Sequence, residues 1–124
     1  MTFLAGDVIG FYSSVAGKHK FHLCLGLGGT FLFINTPKSK QFLGDLVVDC
    51  SEIPCINPTA SGKSVISCSM VIRMTAAELA HCKAKKHGAV SHQLLQKLLK
   101  FVEASPVLSP EDKEAILDGI GDAI

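Results

Sequence analysis

Continuous apolar runs dominate the first half of the chain, and the hydrophobic period changes in its last third. His22–Leu27 and Thr30–Asn35 are two such runs separated by Gly28-Gly29, a turn suited to positive φ, so the pattern predicts a hairpin. Neither run alternates with polar residues, which places both strands in the middle of a sheet, covered on both faces. Asp7–Tyr12 and Leu46–Asp49 read as further short strands. Ser64–Arg73 alternates small polar and apolar side chains, as a half-buried strand does. Between them, Ser13–Gly17, Pro37-Lys38-Ser39-Lys40 and Ile53–Gly62 carry the small residues, Gly and Pro of loops. Many short strands with such turns predict a small barrel or sandwich.

After Arg73 the spacing becomes helical. Thr75 followed by Glu78 is a capping box, predicting a helix over Ala76–Lys85 that Gly88 ends. Ser91 caps a second helix running through Glu103, whose Leu94, Leu95, Leu98, Leu99 and Val102 form one stripe. Ser105-Pro106 breaks it, and Ser109-Pro110-Glu111-Asp112 starts a third with a cap, a proline and first-turn acids. Ala115, Ile116, Leu117 and Ile120 fold that helix back on the second as a helical hairpin. The expected organisation is one mainly β domain over 1–124, a small barrel over 1–74 followed by helices over 75–124.

Composition narrows the class. The 124 residues suffice for one modest core, and 48% hydrophobic with 19% charged is globular. A net charge of +1 leaves nucleic-acid contact to a local patch. Runs such as Leu23–Leu27 and Phe31–Ile34 are too short to cross a bilayer. MTFLAGDVIG lacks a basic leader region, so no signal peptide is expected. Five cysteines without a C-x-x-C pair fit reduced thiols in a cytoplasmic protein.

Candidate chemistry concentrates in KHKFHLCL. Lys18, His19, Lys20 and His22 put four basic or titratable groups into five residues at the entrance of an apolar strand. Metal-independent RNA cleavage needs a base for the ribose 2′-hydroxyl, an acid for the leaving oxygen, and donors for phosphorane charge. His19 and His22 are acid–base candidates, Lys18, Lys20, Lys38 and Arg73 supply charge, and Asn35 and Thr36 supply an amide and a hydroxyl. His19 and His22 lie three apart, so a regular strand points them to opposite faces and at most one reaches a pocket. A zinc site from His19, His22 and Cys24 lacks a second ligand pair at the usual spacing, and no metal or cofactor is expected. Gly26, Gly28 and Gly29 precede a strand, not the helix that a phosphate loop needs, and Ser61-Gly62-Lys63-Ser64 matches only the tail of a Walker motif.

The order of segments resembles the PemK/MazF group of toxin endoribonucleases. Gly6-Asp7-Val8-Ile9 matches the opening G-D-V/I strand, KHKFHLCL the K-x-R-P-x-L-V-L strand, Thr36-Pro37 the T-S/T-P strand end, and SVISCSMVIR with Met74-Thr75 the later strand and helix start. The likeness spans about residues 5–80 and implies an SH3-like barrel, a symmetric dimer, single-stranded RNA as substrate, no metal, and an antitoxin partner. Carried over by position, it gives Lys20 the place of the catalytic Arg, Thr36 that of the hydroxyl residue, and Arg73 that of the second Arg. Lys20 lacks an arginine's bidentate fork, and Phe21 replaces the family's proline. His22 or His19 is then the proton-transfer group, with Lys18, His19, Asn35 and Lys38 binding substrate. A non-catalytic protein- or nucleic-acid-binding module on the same barrel is the alternative. A third reading, from GDVIGFY and the His22 strand, is an NlpC-like cysteine hydrolase with Cys50 as nucleophile.

Overall fold

In the computed structural model, which describes residues 3–26, 29–40 and 42–124, the strands make one antiparallel sheet. They are β1 (Asp7–Ser13), β2 (Lys18–Gly26), β3 (Thr30–Asn35), β4 (Asp45–Asp49), β5 (Lys63–Arg73) and β6 (Lys85–Ala89), in the order β4-β5-β3-β2-β1-β6. The helices are α1 (Ala76–His81), α2 (His92–Glu103) and α3 (Pro110–Gly121). The protein is thus mainly β, with two of its three helices at the C-terminal end. The sheet is open: β4 and β6 are its edges.

Strand alternation sorts the core into two layers. Val8, Leu23, Leu25, Leu32, Ile34 and Ile66 face α2 and α3, which contribute Leu94, Leu95, Leu98, Val102, Ile116 and Ile120. Ile9, Phe11, Cys24, Phe31 and Ile72 point the other way, to a smaller layer with Phe3, Ala84 and Leu79 of α1. β2 and β3 each have two neighbours and apolar cover on both sides, as their continuous runs predict. The capping residues act as expected. Thr75 and Glu78 form a reciprocal capping box, while Ser91 and Ser109 accept from Leu94 N and Asp112 N.

Three expectations change. The helix predicted over Ala76–Lys85 stops at His81, because Lys83 takes a positive φ of 54° and Ala84 turns into the smaller core. The chain then pairs with β1 as β6, where the sequence suggests only the end of a helix. The strand predicted to start at His22 starts at Lys18, so the basic cluster belongs to β2 itself. Leu27, the expected last residue of the first strand, and Gly28, half of the expected turn, lie outside the described residues; Gly29 has the positive φ (72°) that the turn calls for. Among the described residues no helix is long and apolar enough to cross a membrane.

Candidate functional site

Because β2 begins at Lys18, alternation along it divides the basic cluster between the two faces. His19 and Phe21 share the side of Leu23, whereas Lys20 and His22 share that of Cys24. This split also separates His19 from His22 and Cys24, so the three cannot hold one metal ion.

His22 lies in the interior. Its side chain is fully buried, stacked on Phe11 with ring centroids 3.7 Å apart and planes 2° from parallel, with Phe31 and Phe33 at its edges. Nδ1 lies 3.3 Å from the Ile9 carbonyl oxygen, and Nε2 has no hydrogen-bond partner among the described residues. The hydrogen bond to Ile9 assigns the proton to Nδ1. Burial pushes the imidazole down to about 4, against the raising effect of the Ile9 bond and with further lowering from Lys20. A neutral ring with no path to solvent cannot exchange protons with a substrate, so His22 is a packing residue and not the acid or base expected of it.

Arg73 stands at the other end of the sheet. It pairs with Thr30 in the β3–β5 ladder, whereas Asn35 pairs with Val65. Five residues of strand separate those ends, roughly 16 Å at the rise of a β-strand. The guanidinium is already engaged by Asp112 of α3 at 2.9 Å, and the same carboxylate accepts from Val71 N. The expected meeting of Arg73 with Lys20, His22 and Thr36 therefore does not occur.

Lys20 and Thr36 do share one end. Lys20 Nζ donates to Asn35 Oδ1 and sits 5.5 Å from the Phe33 ring centre. Its ammonium is lowered by burial first and then by the charges of Lys18 and Lys38, so three cations crowd this corner. Asn35 and Thr36 form the ridge between two hollows. One, of about 460 Å³, lies on the Phe21 side and includes Ile34, Ser64, Asn57, Thr59 and His87. The other, of about 150 Å³, lies on the opposite side beside Lys38, Phe42, Ser67 and Ser69, with Asp45 in its wall. The resulting trough is polar, cationic at its crest and aromatic at both ends.

Cys50 borders the larger hollow at the start of a short 3-10 turn over Cys50–Glu52. Its sulfur meets Thr59, accepting from Thr59 N at 3.4 Å, and His22 faces the opposite side of the sheet. The Cys50–His22 dyad of a cysteine hydrolase is not formed. Cys24 and Cys68 are fully buried, their thiols pushed up by burial to about 11 and about 12.

One residue that sequence reasoning missed also borders the larger hollow. In the β1–β6 ladder Val8 pairs with Gly88 and Ile9 with Lys86, which leaves His87 as the extra residue of a bulge. The bulge turns its ring toward β1 and β2, where it meets Phe21 edge-on at 5.0 Å. No local pattern in KKHGA gives this away, because it depends on β6 being a strand at all.

No family model, no curated protein and no solved structure matches the chain. The functional reading therefore rests on this geometry.

Proposed function

We propose that the protein binds single-stranded RNA along the trough that crosses the Asn35–Thr36 ridge. The observation that supports this most is the crowding of Lys18, Lys20 and Lys38 at the crest, where Lys20 is tied to Asn35 and its ammonium is lowered by burial first and by the two neighbouring cations after it. Such a corner gains from an anion, and a phosphate backbone is a polymer of them. Phe42, 54% exposed, and the half-buried Phe21 lie at opposite ends as faces on which bases can stack. Asn35, Thr36, Ser64, Ser67 and Asn57 offer donors and acceptors between them. A net charge of only +1 makes this a local patch, not a general polyanion coat.

Fluorescence anisotropy with a labelled single-stranded RNA tests the reading. Affinity should fall steeply as salt rises, and a Lys20→Ala, Lys38→Ala double variant should bind at least about 10-fold more weakly with a smaller salt slope. Wild-type binding that ignores salt, or a double variant that binds as well as wild type, would overturn it.

A second reading is the divergent PemK/MazF-like toxin, a metal-independent endoribonuclease on an SH3-like scaffold with an antitoxin and a second copy as partners. What favours it is the placement of Lys20 and Thr36 at one strand end, linked through Asn35. In that reading Arg73 takes no part in catalysis, since Asp112 and the length of β3 keep it away.

A further inference from the structure

We propose that His19 and His87 form an acid–base pair for phosphodiester transfer in RNA, a site that rests on the RNA-binding reading above and adds chemistry to it. Two independent features converge on the space over Gly10 of β1. The first is the bulge in β6, which adds one residue to the ladder and aims it inward; bulges of this kind often re-aim side chains beside functional sites. The second is Gly10 itself. A strand glycine is ordinarily a weakness, and this one has no positive φ to require it. A β-carbon there would lie 2.7 Å from His87 Nε2 and 3.0 Å from His19 Cε1, so the glycine leaves room for both imidazoles. These contacts to one shared point put the rings within about 6 Å of each other, a span across which acid and base can serve one reacting group.

Phe21 fixes the arrangement. It stands edge-on to His19 at 6.0 Å and to His87 at 5.0 Å, both at 89°, and so holds the pair from below without capping either ring. Both histidines are exposed, in contrast to the sealed His22. His87 borders the larger hollow, whose other wall carries Asn35, Thr36 and Ser64. At about 460 Å³ that hollow is within the size range of small-ligand sites and suits a nucleotide.

The chemistry balances without a metal. One histidine, neutral, takes the proton of the ribose 2′-hydroxyl as O2′ forms its bond to phosphorus. The other, protonated, gives its proton to O5′ as the P–O5′ bond breaks. The products are a 2′,3′-cyclic phosphate and a free 5′-hydroxyl. Lys20 and Lys38, across the ridge, hold the flanking phosphates of a longer strand. The requirement for a 2′-hydroxyl restricts the substrate to RNA.

The test uses the full chain with EDTA on two substrates, a mixed-sequence single-stranded RNA and the dinucleotide UpA. Wild type should cut both and leave cyclic phosphate ends, and a strand lacking 2′-hydroxyls should stay intact. His19→Gln and His87→Gln should each lower turnover at least about 100-fold, far more than any loss of RNA affinity, while the thermal midpoint holds. Gly10→Ala, which pushes two flexible rings apart and leaves the backbone alone, should lower turnover as well. If wild type binds RNA and leaves it whole, or if the glutamine variants cut at the wild-type rate, the pair is not catalytic and RNA binding stands alone. If UpA is cut and the activity vanishes in the variants, yet long RNA does not bind, the pair stands and the RNA-binding trough falls.

Discussion

His22 shows how one residue can be conspicuous in sequence and inert in function. A histidine inside KHKFHLCL invites an acid–base role, yet its ring lies between Phe11 and the side chains of β3. The consequence is a pH dependence of stability, not of turnover. The folded state holds the imidazole at about 4, below the ordinary value of 6.5. Between those values the unfolded chain binds a proton that the folded chain refuses, so stability rises with pH through this window and is constant above it. Lowering the pH from 7.5 to 4.5 should cost roughly 2–3 kcal/mol through His22 alone. Urea unfolding at the two pH values measures it, and His22→Phe, which keeps a stacking ring, should flatten the difference. An equal slope in that variant would show that other groups carry it. The three-residue spacing of His19 and His22 does place them on opposite faces, as strand geometry requires. Which face is the pocket depends on Phe11, Phe31 and Phe33, and no reading of β2 alone contains them.

At the scale of elements, the readable features were those governed by local physics. Thr75 with Glu78, Ser91, and Ser109 with Pro110 each satisfy orphan amides of their own helix, so their signatures sit within four residues. The apolar stripe of α2 meets α3 for the same reason. β6 was not readable, because KKHGA is neither apolar nor alternating and owes its conformation to the open edge of β1. The missing acid–base partner, His87, was hidden with it. Gly119 makes the same point about energetics. By helix propensity an alanine inside α3 should stabilise by about 1 kcal/mol. Its β-carbon, however, would overlap the carbonyl oxygen of Leu25 in β2, which is held in the sheet and cannot yield as a side-chain tip can. Overpacking of this kind costs about 1–3 kcal/mol, so the clash wins and Gly119→Ala should lower the unfolding midpoint. A raised midpoint would mean that α3 is free to lift off β2.

For the molecule as a whole, the sheet is a shared wall. The larger core of α2 and α3 and the smaller one around Phe11 and Phe31 rest on opposite faces of the same strands, so neither can dissolve while the other keeps its register. Continuous apolar runs announced such two-sided cover, but whether the strands close into a barrel depends on pairings between distant segments, and the pairing leaves β4 and β6 as edges. The expected consequence is a single cooperative transition. Leu98→Ala in α2 should cost about 2–5 kcal/mol and Phe31→Ala on the other face about 3–5 kcal/mol. Each is a large share of the 5–15 kcal/mol typical of whole domains, so the double variant should fail to fold. In either single variant, helix signal by circular dichroism and fluorescence of the sole tyrosine, Tyr12 in β1, should be lost at the same denaturant concentration. If Tyr12 reports its change well after the helices have melted in Leu98→Ala, the sheet survives without its helical layer. The trough would then sit on a scaffold that does not need its C-terminal third. Coincident curves place the Lys20 corner and the histidine pair under the control of the common core, which they meet through Phe33 and Phe21.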